Sequence, residues 1–319
     1  MPSPRSLVAA FSLLAAAALP AQSVTKDRPA AQPRNTAERL GYPPGAKLLI
    51  IHADDIGVAH SVNRATWDAF KSGAITSASI MMPTPWITEV AAYARANPDA
   101  DLGLHLTLTS EWNTYRWGPL SARESVPSLV DSTGTLWTRE TMIRDHAKAE
   151  DAEREIRAQI ALAYKLGIRP THLDSHMGSL FTRPDLYAVL SKVAHEYGIP
   201  FLAMTTPEGR GEQQPALRPG DITLDAVATA SDELPKEQWK DWYLKQVKEL
   251  KPGLTEFIVH VGYDNAELQA VMEGFEPWGS AWRQRDLDVL SSPEFRQALK
   301  DNGVTLVTWR ELQRRAMRP

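Results

Sequence analysis

Along this chain, short and almost unbroken apolar runs alternate with longer segments whose apolar residues recur at helical spacing. The runs cover 48–53, 75–82, 102–108, 171–174, 200–204, 256–261 and 304–309. Most have no wet face, the pattern of parallel strands covered on both sides. One is different. Leu102, Leu104, Leu106 and Leu108 alternate with Gly103, His105, Thr107 and Thr109, so that strand predicts an apolar face and an opposite, small and polar one. Between the runs, 62–71, 88–96, 139–166, 185–197, 237–250 and 293–302 predict helices. Gly73, Gly167 and Gly198 stand where three of them should stop. Seven strands alternating with helices predict an α/β fold. Periodicity alone does not separate an open doubly wound sheet from a barrel. The polar residues do: four strands run out into Asp or His, and a barrel gathers such ends at one site.

The first 46 residues stand apart from this pattern. Arg5 precedes an apolar or small-residue stretch from 7 to 19, broken only by Ser12, and Pro20-Ala21-Gln22 follows. This is the anatomy of a signal peptide over 1–22, too short for a membrane span. It predicts an exported protein, periplasmic or secreted, with no stable membrane insertion after cleavage. Residues 23–46 are polar and Pro-rich and read as a linker, leaving a single domain over 47–319. The whole chain has 319 residues, 43% of them hydrophobic and 23% charged, which suits such a domain. Its net charge of -4 gives no electrostatic reason for a nucleic-acid partner. With no cysteine, an exported chain of this kind folds without disulfides.

The candidate chemistry sits at the strand ends. His52-Ala53-Asp54-Asp55 closes the first run, His105 lies in the third, His172 to His176 spans the end of the fourth, and His260 lies near the end of the sixth. An Asp and two His gathered at a barrel mouth predict a divalent metal site with open positions. Two adjacent carboxylates in a tight site do not comfortably both stay free anions. A metal on one resolves the conflict and leaves the other as a base; the competing reading is that the pair caps the helix after it. His172 and His176 are four apart, as in helical zinc motifs, but Pro170 and Asp174-Ser175 predict a strand turning into a loop. His176 is then the ligand, with His172 or Asp174 as its support. His260, before the turn at Gly262, is placed for a general acid. His60, His146 and His195 fall in helical or loop contexts and read as surface residues. Segment 112–138 predicts a long pocket-building loop, in which Trp112, Tyr115 and Trp117 suit stacking on sugar faces. Arg285-Asp286 reads as a solvated ion pair, the alternative being that it reaches the site and orients a catalytic group.

His52-Ala53-Asp54-Asp55-Ile56-Gly57 with Ser61-Val62-Asn63, then Gly103-Leu104-His105-Leu106, then Thr171-His172-Leu173-Asp174-Ser175-His176, resemble in order the motifs of the YdjC-like (ChbG/HpnK) carbohydrate deacetylases. That family is similar to the NodB-type polysaccharide deacetylases. The resemblance runs from about Lys47 to Arg310. It implies a distorted seven-stranded β/α barrel and a metal-dependent hydrolase that removes acetyl groups from N-acetylated sugars or oligosaccharides. It implies Asp55, His105 and His176 as metal ligands, Asp54 as catalytic base and His260 as acid. Two departures stand out: Met177-Gly178-Ser179 where many relatives have a further His, and His260-Val261-Gly262 where many have His-Pro-Gly. One divalent ion is expected; the ligand set suits Zn²⁺, and Mg²⁺, Mn²⁺, Co²⁺ and Ni²⁺ stay open. The rivals are an amidase or esterase on a non-sugar substrate, a phosphoesterase, and a non-catalytic carbohydrate-binding relative. A homodimer is left open.

Overall fold

The first strand is the axis of the molecule. In a computed structural model, which describes residues 35–205, 215–275 and 277–317, it runs unbroken from Lys47 to Ile56 as β1. Ser77–Ile80 (β2), Leu102–Leu106 (β3) and Leu173–Ser175 (β4) follow on one side of it; Ala226–Ala228 (β5) and Gly253–Val259 (β6) lie on the other. Val304–Leu306 (β7) pairs with the start of β1, at residues 47–49. Every ladder is parallel. The sequence predicts a seven-stranded β/α barrel; a seven-stranded parallel α/β sheet is present, curled like part of a barrel but open along its ladders. The run at 200–204 forms no strand of its own: Phe201 and Met204 make single bridges to Leu173 and Leu224.

The alternation along β1 explains the interior. Leu49, Ile51 and Ala53 belong to the large apolar cluster, whereas Leu48 and Ile50 belong to a smaller one with Leu202, Leu224, Leu254 and Trp309. His52 and Asp54 continue that second series, since successive side chains point to opposite faces. The interior series is thus apolar at the start of the strand and polar at its end. β3 behaves likewise: its leucines join the large cluster, while Gly103 lies against the His172 ring and His105 enters the polar interior.

Helices fill the intervals, among them His60–Ser72, Ile87–Ala96 and Pro184–Tyr197; Gly73 and Gly198 end the first and last in left-handed conformation. The single helix predicted over 139–166 is two, Glu140–His146 and Ala149–Lys165. The break is held from outside: Ser128 Oγ accepts from the Lys148 amide and donates to Asp151. Helices Ser280–Leu290 and Trp309–Ala316 were not predicted; the second begins inside the run read as the last strand.

Residues 1–34, with the predicted signal peptide, lie outside the described residues. Among the described ones, no helix is long and apolar enough to cross a membrane. The end of the predicted linker is corrected. Thr36–Arg39 is a short helix, with Ala37 buried in the smaller apolar cluster and the Thr36 amide donating to Asp225.

Candidate metal centre and active site

Adjacent residues of a regular strand face opposite ways, so Asp54 and Asp55 cannot both enter the interior from one. A bulge solves this. On β1, Ala53 pairs with Ala78 but Ile56 with Ile80, three steps against two. Asp55 absorbs the extra residue with φ +70°, a conformation that costs a non-glycine residue roughly 1–2 kcal/mol. Both carboxylates are buried as a result. Neither caps the helix that follows: its first amides, at His60 and Ser61, donate to Glu267. The only other non-glycine residue with positive φ among those described is Met177, beside His176. Strain of this kind gathers at functional sites.

Asp55 Oδ1 lies 3.4 Å from His105 Nε2 and 3.3 Å from His176 Nδ1. It is buried and has no hydrogen-bond partner, although its twin Oδ2 accepts from Arg283 at 2.6 Å. The far nitrogen of each imidazole is held by another carboxylate. His105 Nδ1 lies 2.7 Å from Asp174 Oδ1, and His176 Nε2 lies 3.0 and 3.1 Å from the two oxygens of Glu111. Asp174 thus supports His105 rather than His176. One carboxylate oxygen and two imidazole nitrogens, converging on a point that no protein donor fills, fit a divalent cation. The electrostatics agree. Burial raises an acid's pKa, yet the Arg283 guanidinium and His176 hold Asp55 well below the usual carboxylate range. Burial lowers an imidazole's pKa, yet Glu111 and Asp55 carry His176 up to about 10. The site is built to take up positive charge.

Asp54 stands beside this triad. Its Oδ2 lies 3.6 Å from His105 Nε2 and 3.9 Å from His260 Nε2, and its Oδ1 lies 3.0 Å from His52 Nε2. His52 also meets Asp174 at 2.9 Å, and burial, which would lower its pKa, is outweighed by these two carboxylates. His260 differs: burial lowers its pKa, with Asp55 and Asp54 opposing. Its amide donates to Asp286 at 2.8 Å, and Asp286 accepts as well from Trp239 Nε1 and Tyr243 Oη. Arg285-Asp286 is therefore no solvated ion pair. Asp286 is buried, and the Arg285 guanidinium lies over the Trp239 ring.

Of the remaining histidines, His172 is buried between Gly103 and the Trp309 ring, away from the triad. His60 and His146 are exposed; His195 is half-buried and meets Asp221 at 2.8 Å. Above the triad opens a cavity of about 360 Å³, walled by Trp112, Phe275, Trp278 and Met177. Of the three loop aromatics singled out from sequence, only Trp112 lines it. Tyr115 donates its hydroxyl to the Val58 carbonyl, and Trp117 its indole N–H to the Thr109 carbonyl. The volume is at the small end of the roughly 300–1,000 Å³ typical of small-molecule sites.

Two residues of the centre escaped the sequence reading. Glu111 had a signal: it continues the odd-numbered series 103, 105, 107, 109 past the end of β3. Arg283 had none, because its helix, Ser280–Leu290, buries Ser280, Arg283 and Asp286 together with apolar residues and so shows no clean apolar stripe.

Comparison with known proteins gives the family. A family model described as YdjC-like protein matches residues 48–301. A carbohydrate deacetylase of Thermus thermophilus is 33% identical over 286 residues, covering 86% of this chain and 97% of that protein. One from Geobacillus stearothermophilus is 29% identical over 270 residues, covering 83% and 98%. Among solved structures, an Enterococcus faecalis V583 protein described as a candidate for cellobiose-phosphate cleavage superposes with a TM-score of 0.69. It is 26% identical and covers 84% of this chain and 99% of its own.

Proposed function

This chain belongs to the YdjC-like family, and from that footing we propose that it is a metal-dependent hydrolase removing the acetyl group from N-acetylated sugars or short oligosaccharides. One observation carries the reading: the unpartnered Asp55 Oδ1, facing His105 Nε2 and His176 Nδ1 at the bottom of an aromatic-walled cavity. Asp55, His105 and His176 would hold the ion, which supplies Lewis acidity toward the amide carbonyl and a water of lowered pKa.

The chain's own residues do the rest. Asp54, an acceptor within reach of the site, takes a proton from the attacking water as its oxygen bonds to the acetyl carbon. The proton that His260 later donates must first reach it. Asp54 Oδ2, 3.9 Å from His260 Nε2, is the source. Protonated His260 then delivers that proton to the sugar nitrogen as the C–N bond breaks, and acetate leaves. Asp286 keeps His260 in place through its backbone amide. Trp112 and Trp278 wall the cavity with apolar surface and exclude water. A phosphoesterase is less well served: Arg283 is the only Lys or Arg lining the cavity among the described residues, and Asp55 already engages it.

The test is acetate release from chitobiose, longer chito-oligosaccharides, acetylated glycans and simple acyl esters, with and without chelator. Chelator-sensitive release from the N-acetylated sugars is expected. Release that ignores chelator, or that comes from esters alone, would overturn the proposal. Asp54→Asn should retain metal and lose at least ~100-fold in kcat, the scale of a missing general base; His176→Ala should lose both metal and activity. We propose also that the chain is exported, which N-terminal sequencing of the protein recovered from its native host would check.

A further inference from the structure

We propose that Glu111 is a positioning residue for the metal ligand His176, and that through it the cavity wall and the metal centre act as one unit. The proposal rests on the reading of Asp55, His105 and His176 as metal ligands.

The two histidines offer opposite nitrogens to the same point. His105 presents Nε2 and has Asp174 on Nδ1; His176 presents Nδ1 and has Glu111 on Nε2. A carboxylate only accepts, so a hydrogen on His176 Nε2 must point at Glu111, and Nδ1, once it gives up its own proton, is the nitrogen that meets the ion. Both Glu111 oxygens lie within hydrogen-bond distance of that one nitrogen, and both side chains are almost wholly buried. The ring orientation is therefore set from outside the triad. Without Glu111, a buried N–H loses its partner and the ring is free to turn.

Glu111 also belongs to the wall. Its neighbour Trp112 lines the cavity, and Asn113 donates to the Gly274 carbonyl next to Phe275, whose ring meets that of Trp112. Over the face of Trp112, 5.8 Å from its centre, lies the guanidinium of Arg283, which holds the other ligand, Asp55. One outer partner, Glu111, thus precedes this wall residue in the chain, and the other, Arg283, lies over its ring. A change at Glu111 is a change in metal affinity and in the wall together.

The experiment titrates the full chain, stripped of metal, with Zn²⁺ against a chromophoric chelator, for wild type, Glu111→Gln, Glu111→Asp and Glu111→Ala. The ¹⁵N shifts of the His176 ring are followed in parallel. Outer carboxylates of this kind are typically worth ~10–100-fold in metal affinity. Glu111→Ala is expected near the upper end and Glu111→Gln, which keeps an acceptor, near the lower. The His176 Nε2–H signal should move in both, and Glu111→Asp should recover part of the loss. If Glu111→Ala does not fold, the Gln and Asp variants carry the comparison. Wild type binding Zn²⁺ with all folded variants matching it within twofold overturns the role of Glu111 and leaves the metal triad standing. Wild type binding neither Zn²⁺ nor another divalent ion overturns both.

Discussion

Asp54 and Asp55 are neighbours in sequence with unequal surroundings, and the difference comes from one backbone angle. Left-handed φ at Asp55 turns its carboxylate onto His105 and His176, while Asp54 keeps the regular strand orientation toward His52. Asn tolerates that conformation better than other residues. Asp55→Asn is therefore expected to fold with a near-normal melting temperature while its Zn²⁺ affinity falls sharply; unchanged affinity would remove Asp55 from the ligand set. Glu256 makes a separate prediction. It is buried beneath the site with Trp309 Nε1 donating to it at 2.9 Å, and burial pushes its pKa from 4.5 to about 7, with His52 and Trp309 opposing. A raised acid pKa means that the folded state prefers the protonated form. The associated stability is complete below about pH 4.5 and is lost as pH rises through 7, on the order of 3 kcal/mol. Glu256→Gln should lose that dependence, so its melting temperature should gain on wild type between pH 5 and pH 8. A constant gap would show that Glu256 titrates normally.

At the scale of elements, close approach decides what each strand tolerates. Gly103 of β3 has the His172 ring against its Cα: an added Cβ would come within 2.3–2.6 Å of three ring atoms. The ring cannot retreat, since Trp309 is stacked behind it at 5.2 Å. Gly103→Ala should lower the denaturation midpoint by an amount equivalent to ~1–3 kcal/mol or more, the usual cost of overpacking. An unchanged midpoint would mean that the interior is looser than these contacts imply. The same packing explains why His172, four residues from His176, is no ligand. Residues 172, 174 and 176 alternate along β4 and its end; His172 stops against Gly103 and Trp309, whereas Asp174 and His176 line the cavity.

At the scale of the molecule, the end of the strands away from the site is sealed by a segment that composition alone assigns to a linker. The Thr36 amide and the Leu254 amide converge on the Asp225 carboxylate, and Ala37 is buried with Leu48, Ile50 and Trp309. A chain beginning at residue 47 loses these contacts; one beginning at residue 35 keeps them. If they are together worth ~2 kcal/mol, the shorter chain should melt about 4–8 °C below the longer one. Equal melting temperatures would return 35–46 to the status of a linker.

The sequence by itself determined the parallel α/β class, the polar series on β3 and the strand ends that carry chemistry. Each of these is written in local periodicity, which survives without knowledge of what packs where. It also singled out Asp54, Asp55, His105, His176 and His260, because a strand ending in Asp or His needs no partner to be visible. Only the tertiary structure decided which of them meet. The bulge that brings Asp54 and Asp55 to one side exists because β1 pairs three residues against two of β2. Glu111 and Arg283 reach the centre from a loop and a distant helix, and Asp286 is drawn from a presumed surface pair into the support of His260. These are contacts between segments far apart in the chain, 228 residues for Asp55 and Arg283, and no window of local sequence carries a distance of that kind.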